Sequence, residues 1–378
     1  MKILLVNSEF PPIGGGAGNA SANIARHLVA RGHEVLVLTV RHASLPREEN
    51  WQGVHIVRIP ALRKRMDRSG LLEQVSFILV GSLYAGRVLR TFPAQAVLAF
   101  FGVPAGPIAW LVHKLHGTPY MVSMRGGDVP GFRPYDFGTY HRLVAPFLRL
   151  IWRDAGSLVA NSDGLRALAL KFDRSASIEL IPNGVDLEAF VPVAREWSPA
   201  RLLSVGRLVY QKGLDLAARA LADLKHLDWE WVIAGDGSFR PEFEKLCLEL
   251  GIADRVNLVG WRSKPELTEH YNQANLFVFP SRHEGMPNAV LEAMSSGLPV
   301  IASHIAGNEE LVVPDETGLL FPSESVTDLQ SALLELIPDY TRRMEMGEAG
   351  RARVQARYSW EGVADQYAGL LEKMVEAG

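Results

Sequence analysis

Short apolar runs alternate with longer segments of helical periodicity along the whole 378-residue chain. Most of the apolar runs end close to Gly, Asn or Pro, which is typical of buried parallel strands joined by helices. The strands predicted in the first half are residues 3–6, 34–39, 55–59, 96–100, 120–124, 157–160 and 178–181. Those predicted in the second half are residues 201–205, 229–234, 256–259, 276–279 and 299–302. A helix is expected over residues 19–31, with Gly32 as its C-terminal cap. This alternation predicts βαβ units from end to end.

The alternation is interrupted at residues 191–200, where VPVAREWSPA contains two prolines and has no apolar periodicity. Because 378 residues exceed the usual size of a single core, we place a linker there and predict domains over residues 1–192 and 193–359. Apolar residues recur at helical spacing from Trp360, so residues 360–378 should form a helix that packs on the first domain. Two doubly wound α/β domains predict a cleft between them, with ligands at the carboxyl ends of the strands.

The composition is that of an ordinary globular protein, with 48% hydrophobic and 21% charged residues. No charge occurs from residue 91 to residue 112, but three prolines and two glycines favour a strand, a turn and a helix over a membrane span. The single cysteine, Cys247, excludes an intrachain disulfide. The N-terminal MKILLVNSEF has too short an apolar run for a signal peptide. We therefore expect a reducing, cytoplasmic compartment.

Charge is divided unevenly between the two halves. Residues 1–195 contain 22 Lys and Arg against 14 Asp and Glu, which leaves 17 against 28 for the rest, although the net charge is only -3. Five basic residues precede the apolar segment 71–89: Arg58, Arg63, Lys64, Arg65 and Arg68. A basic surface favours anionic lipids or phosphate-bearing acceptors, so peripheral association of the first domain with the inner face of the membrane is one interpretation. A solvated basic loop is the other, and no nucleic-acid partner is expected.

The stretch HEGMPNAVLE at residues 283–292 has two carboxylates separated by a helix breaker. Glu284 should lie in the loop after a strand, and Glu292 in the helix that begins near Pro287, a residue suited to a first turn. The loop and the first turn between them offer backbone N–H groups and a positive dipole end to an anion. Since phosphate repels carboxylates, the glutamates should accept bonds from flanking hydroxyls. This arrangement suits a nucleotide sugar; a capping acid and an unrelated surface glutamate are the alternative.

Two cations, Arg207 and Lys212, follow the first strand of the second domain on a loop opened by Gly206. A planar guanidinium and a point-like ammonium suit the negative charge of a diphosphate leaving group. Taken alone, both could be solvated loop charges. With an anion site predicted on a later strand of the same sheet, the functional interpretation is favoured.

The first domain has glycines between its first strand and first helix, at PPIGGGAG. Glycines allow a phosphate or sugar to approach the backbone closely. A dinucleotide-binding loop is the competing interpretation, but the spacing is not G-x-G-x-x-G and the second strand ends without an acid for a ribose.

Several motifs occur in a fixed order: PPIGGG at 11–16, RGHEV at 31–35, IPNGVD at 181–186, GR at 206–207 with KG at 212–213, GDG at 235–237, and E-x7-E at 284–292 followed by AM and GLPV. Together they resemble the retaining glycosyltransferases of family 4, and the resemblance runs from residue 1 to about residue 360. It implies the GT-B fold, in which two doubly wound Rossmann-like domains face each other across a cleft. It also implies transfer of a hexose from a nucleoside diphosphate sugar, with UDP favoured over GDP, to a glycan, lipid-linked or small-molecule acceptor.

The resemblance assigns a role to each candidate residue. Arg207 and Lys212 would bind the diphosphate as leaving group, and Glu284 would hold the donor-sugar hydroxyls. Glu292 would bind the nucleotide ribose. The other implied donor-binding residues are Gly206, the loop Gly285, Met286, Pro287 and Asn288, the base neighbours Val259, Gly260 and Trp261, and Gly15 and Gly16 of the first domain. The acceptor would attack from the face that the leaving group departs from, with a phosphate oxygen as base, so the anomeric configuration would be retained.

One segment departs from the family pattern. Arg125 stands where many relatives have a histidine close to the reacting centre, and Asp128 follows it. Arginine does not act as a base near neutral pH but pairs with phosphate or anionic groups, so we predict that one or both residues face the acceptor.

The residues also bear on metals and on other functions. No Asp-x-Asp is present, and His113, His116 and His283 do not have the spacing of a ligand cluster. We therefore expect no metal or cofactor to be required. A UDP-sugar 2-epimerase and a non-catalytic nucleotide-sugar binding protein are the alternative functions.

Overall fold

The computed structural model describes residues 1–42, 44–66, 69–132, 134–194 and 198–377. The chain forms two compact units, one of residues 1–183 with the C-terminal helix and one of residues 184–359. The boundary therefore lies before the linker predicted at 191–200, of which residues 195–197 are outside the described residues. The physical reason is that the Val185 N–H donates to the Tyr358 carbonyl at 2.7 Å and that Phe190 is buried in the core of the second unit.

The first unit is built on one eight-stranded sheet in the order β3-β4-β2-β1-β5-β6-β7-β8. Its strands are β1 Lys2–Val6, β2 Glu34–Val40, β3 Glu48–Trp51, β4 Val54–Ile59, β5 Ala96–Phe100, β6 Tyr120–Ser123, β7 Ser157–Ala160 and β8 Ile178–Leu180. All neighbours are parallel except β3 and β4. The sequence pattern did not predict β3, because its EENW segment is polar and lies at the sheet edge, where no apolar run is needed.

Helices cover the sheet of the first unit. They are α1 Gly16–Ala30, α2 Leu71–Thr91, α3 Gly106–His116, α4 Pro134–Asp154, α5 Asp163–Phe172 and, from the end of the chain, α13 Trp360–Glu376. The charge-free segment is confirmed as strand β5, a turn and helix α3. Helix α1 begins three residues before its predicted start, and Gly32 follows it with φ +84°.

The second unit has a six-stranded parallel sheet in the order β11-β10-β9-β12-β13-β14. The strands are β9 Ala200–Val205, β10 Trp229–Ala234, β11 Val256–Gly260, β12 Leu276–Phe279, β13 Val300–His304 and β14 Gly318–Pro322. The helices are α6 Leu214–Ala222, α7 Arg240–Glu249, α8 Lys264–Gln273, α9 Asn288–Ser295, α10 Asn308–Leu311, α11 Val326–Leu336 and α12 Tyr340–Arg357. Strand β14 was not predicted.

The strand order of the second unit determines where a ligand can bind. The chain leaves β9 to add β10 and β11 on one side, and then returns to add β12 on the other side of β9. The strand order therefore reverses between β9 and β12, and in open α/β sheets such a reversal marks the crevice at the carboxyl ends of the strands where ligands bind. The four residues of β12 are fully buried, so this edge is a rigid base for the loops.

Candidate active site

The loops after β9 and β12 meet at this switch point. After β9 come Gly206, Arg207 and a single turn, Tyr210–Lys212; after β12 comes the loop that ends at helix α9. Gly213 brings the two loops into contact, because a Cβ added there would lie 2.0 Å from the Pro280 carbonyl oxygen, and its φ is +64°. Only glycine tolerates both conditions.

A small pocket that is open to solvent lies at this junction. Residues that line it include Ser204, Gly206, Arg207, Lys212, Phe279 and Pro280. The candidate residues after β9 thus share one cavity with the end of β12. Its floor is held by Ser204, whose hydroxyl donates to the Val278 carbonyl at 2.6 Å and accepts from the Trp231 indole at 3.0 Å.

Lys212 and Glu284, two of the three predicted catalytic residues, contact each other. The Lys212 ammonium lies 2.7 Å from Oε1 of Glu284, and both side chains are mostly buried, with exposed fractions of 17% and 12%. The same ammonium sits 4.7 Å from the centre of the Phe279 ring. An ammonium has three donors and a carboxylate has two oxygens, so the pair keeps donors for a phosphate and an acceptor for a sugar hydroxyl.

Arg207, the third predicted catalytic residue, is exposed, and its side chain has no hydrogen-bond or ionic partner among the residues described. It follows Gly206, where an added Cβ would approach the Lys212 side chain to 3.0 Å. The fork of Arg207 is therefore free to bind an anion at the mouth of the pocket.

Glu292 lies inside α9, and part of its side chain reaches the surface. Its Oε2 accepts a bond from the Tyr271 hydroxyl at 3.0 Å. Burial raises the pKa of Glu292 to about 7, although the Tyr271 bond and the charge of Lys264 lower it. Burial and the neighbouring Glu292 raise the pKa of Tyr271 well above its usual value. A carboxylate held in this way keeps one oxygen for a hydroxyl donor.

The loop that joins the two glutamates is supported from behind. Pro287 directly precedes α9, and Asn288 is its first residue. Gly307, with φ +88°, packs so closely that an added Cβ would lie 2.1 Å from the Gly285 carbonyl oxygen, and Met286 is buried. The predicted separation of a loop acid from a helix acid is therefore confirmed, and the donor roles of residues 285–288 stay predictions.

Arg282 is a structural element of the site that the sequence pattern did not reveal. It is buried, donates two bonds of 2.9 Å to Asp215 at the start of α6, and pairs with Glu324 at 2.7 Å. It also donates to the Tyr210 carbonyl at 2.6 Å and stacks on the Tyr210 ring. Burial lowers the pKa of Arg282, but its carboxylate partners raise it by more, so it stays charged.

The other predicted residues of the second unit lie two strands away from β9. Val259 and Gly260 end β11, and the Gly260 carbonyl accepts from the Gly235 N–H at 2.8 Å. Trp261 is 75% exposed. Their assignment to the nucleotide base of the donor stays a prediction.

Arg125 and Asp128 are both engaged within the first unit. The guanidinium of Arg125 donates to Asn183 at 2.6 Å and to the Tyr367 hydroxyl of α13 at 3.0 Å. Asp128 is buried and accepts backbone bonds from Gly102, Arg125 and Gly126. Burial lowers the pKa of Arg125 and raises that of Asp128. These contacts give both residues a scaffold role, and their acceptor role stays a prediction.

Gly15 and Gly16 stand at the start of α1, with Gly16 as its first residue. An added Cβ at Gly15 would meet no atom of the described part of the chain within 4 Å, so none of those neighbours requires glycine there. The crowded position is Gly14, with φ +94°, where an added Cβ would lie 2.6 Å from the Glu9 side chain.

Comparison with known proteins agrees with the fold and the motifs. The model of glycosyl transferases group 1 matches residues 191–353, and that of a glycosyl transferase 4-like domain matches residues 15–184. Among solved structures, sucrose-phosphate synthase from Thermosynechococcus elongatus superposes over the full length of both chains with a TM-score of 0.87 at 23% identity. Anabaena HepE, in complex with UDP and glucose, covers 98% of this chain and 99% of its own with a TM-score of 0.79 at 20% identity. The fold is GT-B, as predicted.

Curated relatives extend over nearly the whole chain. The GDP-mannose-dependent alpha-(1-6)-phosphatidylinositol monomannoside mannosyltransferase of Mycobacterium tuberculosis is 27% identical over 98% of both chains. A glycogen synthase from the same species is 27% identical over 96% of this chain and 92% of its own. The chain belongs to the group 1 glycosyltransferases of family 4, and it is a glycosyltransferase enzyme, as the motifs predicted.

Proposed function

We propose that this enzyme moves a hexose from a nucleoside diphosphate hexose to a hydroxyl of a glycan or lipid-linked glycan, with retention of configuration and without a metal ion. The observation that carries the proposal is the Lys212–Glu284 pair at the switch point, whose charged groups are 2.7 Å apart, with Lys212 lining the same pocket as Arg207. It joins a cation for the leaving group to an acceptor for the sugar hydroxyls.

In the proposed reaction, the bond from the sugar C1 to the phosphate oxygen breaks as the acceptor oxygen bonds to C1 on the same face. The acceptor proton passes to the departing phosphate, so no protein carboxylate needs to move a proton. Arg207 and Lys212 stabilise the negative charge that develops on the diphosphate. Two cations in a partly desolvated pocket can supply the neutralisation that a metal supplies elsewhere, which supports metal independence.

We propose the nucleotide base of the donor and the class of acceptor from the relatives. The preference for UDP rests on sequence resemblance alone, whereas a relative that extends over 98% of the chain is named as GDP-mannose-dependent. That relative is also named as a mannosyltransferase of phosphatidylinositol monomannoside, a glycosylated lipid, which favours a lipid-linked acceptor here. GDP-mannose and UDP-glucose are therefore the two donors to test first.

A two-stage assay tests the function. Thermal shifts with GDP-mannose and UDP-glucose identify the donor, because a ligand that binds only the folded state raises its stability. Release of GDP or UDP is then followed with and without octyl glycosides as acceptors, in buffer with EDTA. We expect release that depends on the acceptor and resists EDTA, and a product with the anomeric configuration of the donor by NMR.

Other outcomes separate the alternatives. A new sugar isomer formed without acceptor would indicate an epimerase, and a thermal shift without turnover would indicate a binding protein. Loss of activity in EDTA that added Mg²⁺ restores would contradict metal independence. Lys212→Ala should lower turnover. Its matched control is Lys225→Ala, because Lys225 is an exposed lysine of the same unit.

A further inference from the structure

Helix α2 has an apolar face that none of the described residues of the first unit covers. Leu72, Leu79 and Leu83 are 76%, 63% and 77% exposed, and Val75 is 44% exposed. Their spacing of three or four residues places them on one side of the helix. Scattered surface leucines are ordinary, but a continuous row along three turns is typical of an interaction surface.

The opposite face of α2 fixes the helix on the fold. Phe77, Gly81, Ala85 and Val88 are buried there. At Gly81 an added Cβ would lie 2.5 Å from the Ile108 side chain of α3, so the two helices are in close contact. Although α2 is long and apolar enough to cross a bilayer, a helix packed along one face lies on the surface of its unit instead.

Basic residues stand at both ends of the apolar row. Exposed Lys64 and Arg65 precede the helix, and exposed Arg87 and Arg90 lie in its last turns. The acidic residue of α2, Glu73, lies in the first turn of the helix. Its two side-chain oxygens accept hydrogen bonds from the main-chain N–H groups of Lys64 and Gly70. Arg68 of the predicted basic cluster lies outside the described residues, and Arg58 is buried against Glu49, away from solvent.

We propose that the α2 face, defined as Leu72, Val75, Leu79 and Leu83 with the flanking Lys64, Arg65, Arg87 and Arg90, binds the surface of an anionic lipid bilayer. An apolar row inserts at the level of the acyl chains while basic side chains contact lipid phosphates, and the two attractions act together. A second copy of the chain is a poorer fit, because four side chains on one helix fall short of the roughly 800 Å² per partner of a stable interface.

Sedimentation of the full chain with vesicles tests this surface without any enzymatic turnover, so its failure would leave the proposed transferase function untouched. Vesicles of phosphatidylcholine alone are compared with vesicles containing about one third phosphatidylglycerol, at low and high salt. We expect binding to the anionic vesicles that weakens as salt screens the basic residues. Leu79→Glu/Leu83→Glu and Lys64→Glu/Arg65→Glu should each lower the partition coefficient at least about tenfold.

The controls distinguish a membrane-binding surface from a dimer interface and from loss of the fold. Leu248→Glu changes a leucine that is 70% exposed in α7, on the second unit, and should bind vesicles as the unaltered chain does. Because all the altered side chains are exposed, melting temperatures should be unchanged. Equal binding to neutral and anionic vesicles, or unchanged binding by the α2 variants, would overturn the proposal. So would light scattering that shows a dimer which Leu79→Glu/Leu83→Glu dissociates, since a second copy would then occupy the face.

Discussion

Replacing Glu292 by Gln should make the protein more stable at alkaline pH and weaken its binding of nucleotide. Burial raises the pKa of Glu292 to about 7 from the 4.5 of an unperturbed glutamate. Between these values the folded state holds a proton that the unfolded state has lost, so the free energy of unfolding falls as pH rises through this window. The contribution is fully present below about pH 4.5 and lost above about pH 7. Glutamine keeps the acceptor for Tyr271 and has no charge to bury.

The size of the effect follows from the shift. A difference of about 2.5 pKa units corresponds to ~3 kcal/mol at 1.36 kcal/mol per unit. Because part of the side chain reaches the surface, solvent screening should reduce this to ~1–2 kcal/mol. For a unit of this size that is a rise in Tm of about 2–8 °C in the Gln variant at pH 8, with almost no difference at pH 5. Loss of charged hydrogen bonds to ribose should weaken nucleotide binding about tenfold or more.

Thermal unfolding at pH 5 and pH 8 measures the first effect, and calorimetry with GDP and UDP at pH 8 measures the second. Glu345→Gln is the matched control, since Glu345 is exposed in α12 of the same unit and should give no pH-dependent difference. An equal stability difference at both pH values would refute the buried-carboxylate reasoning. Unchanged nucleotide affinity would refute the ribose assignment while leaving the predicted titration of Glu292 standing.

Three further predictions address other parts of the structure. Lys212→Ala should lower kcat by about 10²–10³-fold with a much smaller change in donor KM, because it removes charge stabilisation of the leaving group. Steady-state kinetics, with Lys225→Ala as the control, measure both constants, and a change confined to KM would contradict the prediction. Arg282→Ala should lower the free energy of unfolding by ~3 kcal/mol, since it strands the carboxylate of Asp215, and Arg282→Lys should recover part of this loss; equal denaturation midpoints for all three proteins would show that the ion pairs are not needed. Tyr367→Phe should cost ~1–3 kcal/mol by leaving buried donors of the first unit unsatisfied, and unchanged stability in chemical denaturation would show that these donors find other partners.

The fold was largely predictable because parallel strands buried on both faces require continuous apolar runs. Those runs located all the strands except β3 and β14. The polar EENW of β3 lies at an edge and needs no apolar run. The division into units falls before the predicted boundary, because prolines at 191–200 mark an irregular segment, whereas Val185 and Phe190 already pack into the second unit. The prolines show where the backbone is irregular, but only the packing of side chains shows which core a residue belongs to.

The site was predictable only in part. Arg207, Lys212, Glu284 and Glu292 carry local signals, since each follows or flanks a strand end or helix start. The contact between Lys212 and Glu284 spans 72 residues of chain and depends on the adjacency of β9 and β12. Strand order is set by the packing of the whole sheet, so a motif shows the residues but not which of them meet. Tyr271 had no signal beyond its place in an amphipathic helix.

Arg282 explains why the two active-site loops have a defined separation. Its main-chain N–H donates to the Gln211 carbonyl at 2.8 Å, while the Gln211 side chain donates to the His283 carbonyl at 2.6 Å, so the loops are bonded in both directions directly before the Lys212–Glu284 pair. Its guanidinium then ties this junction to α6 through Asp215. Catalysis by fixed charges depends on their orientation before the transition state forms, because reorienting them during the reaction would raise the barrier. In the mechanism proposed, a buried arginine paired with two carboxylates next to Lys212 and Glu284 contributes that orientation, although it touches neither the diphosphate nor the sugar.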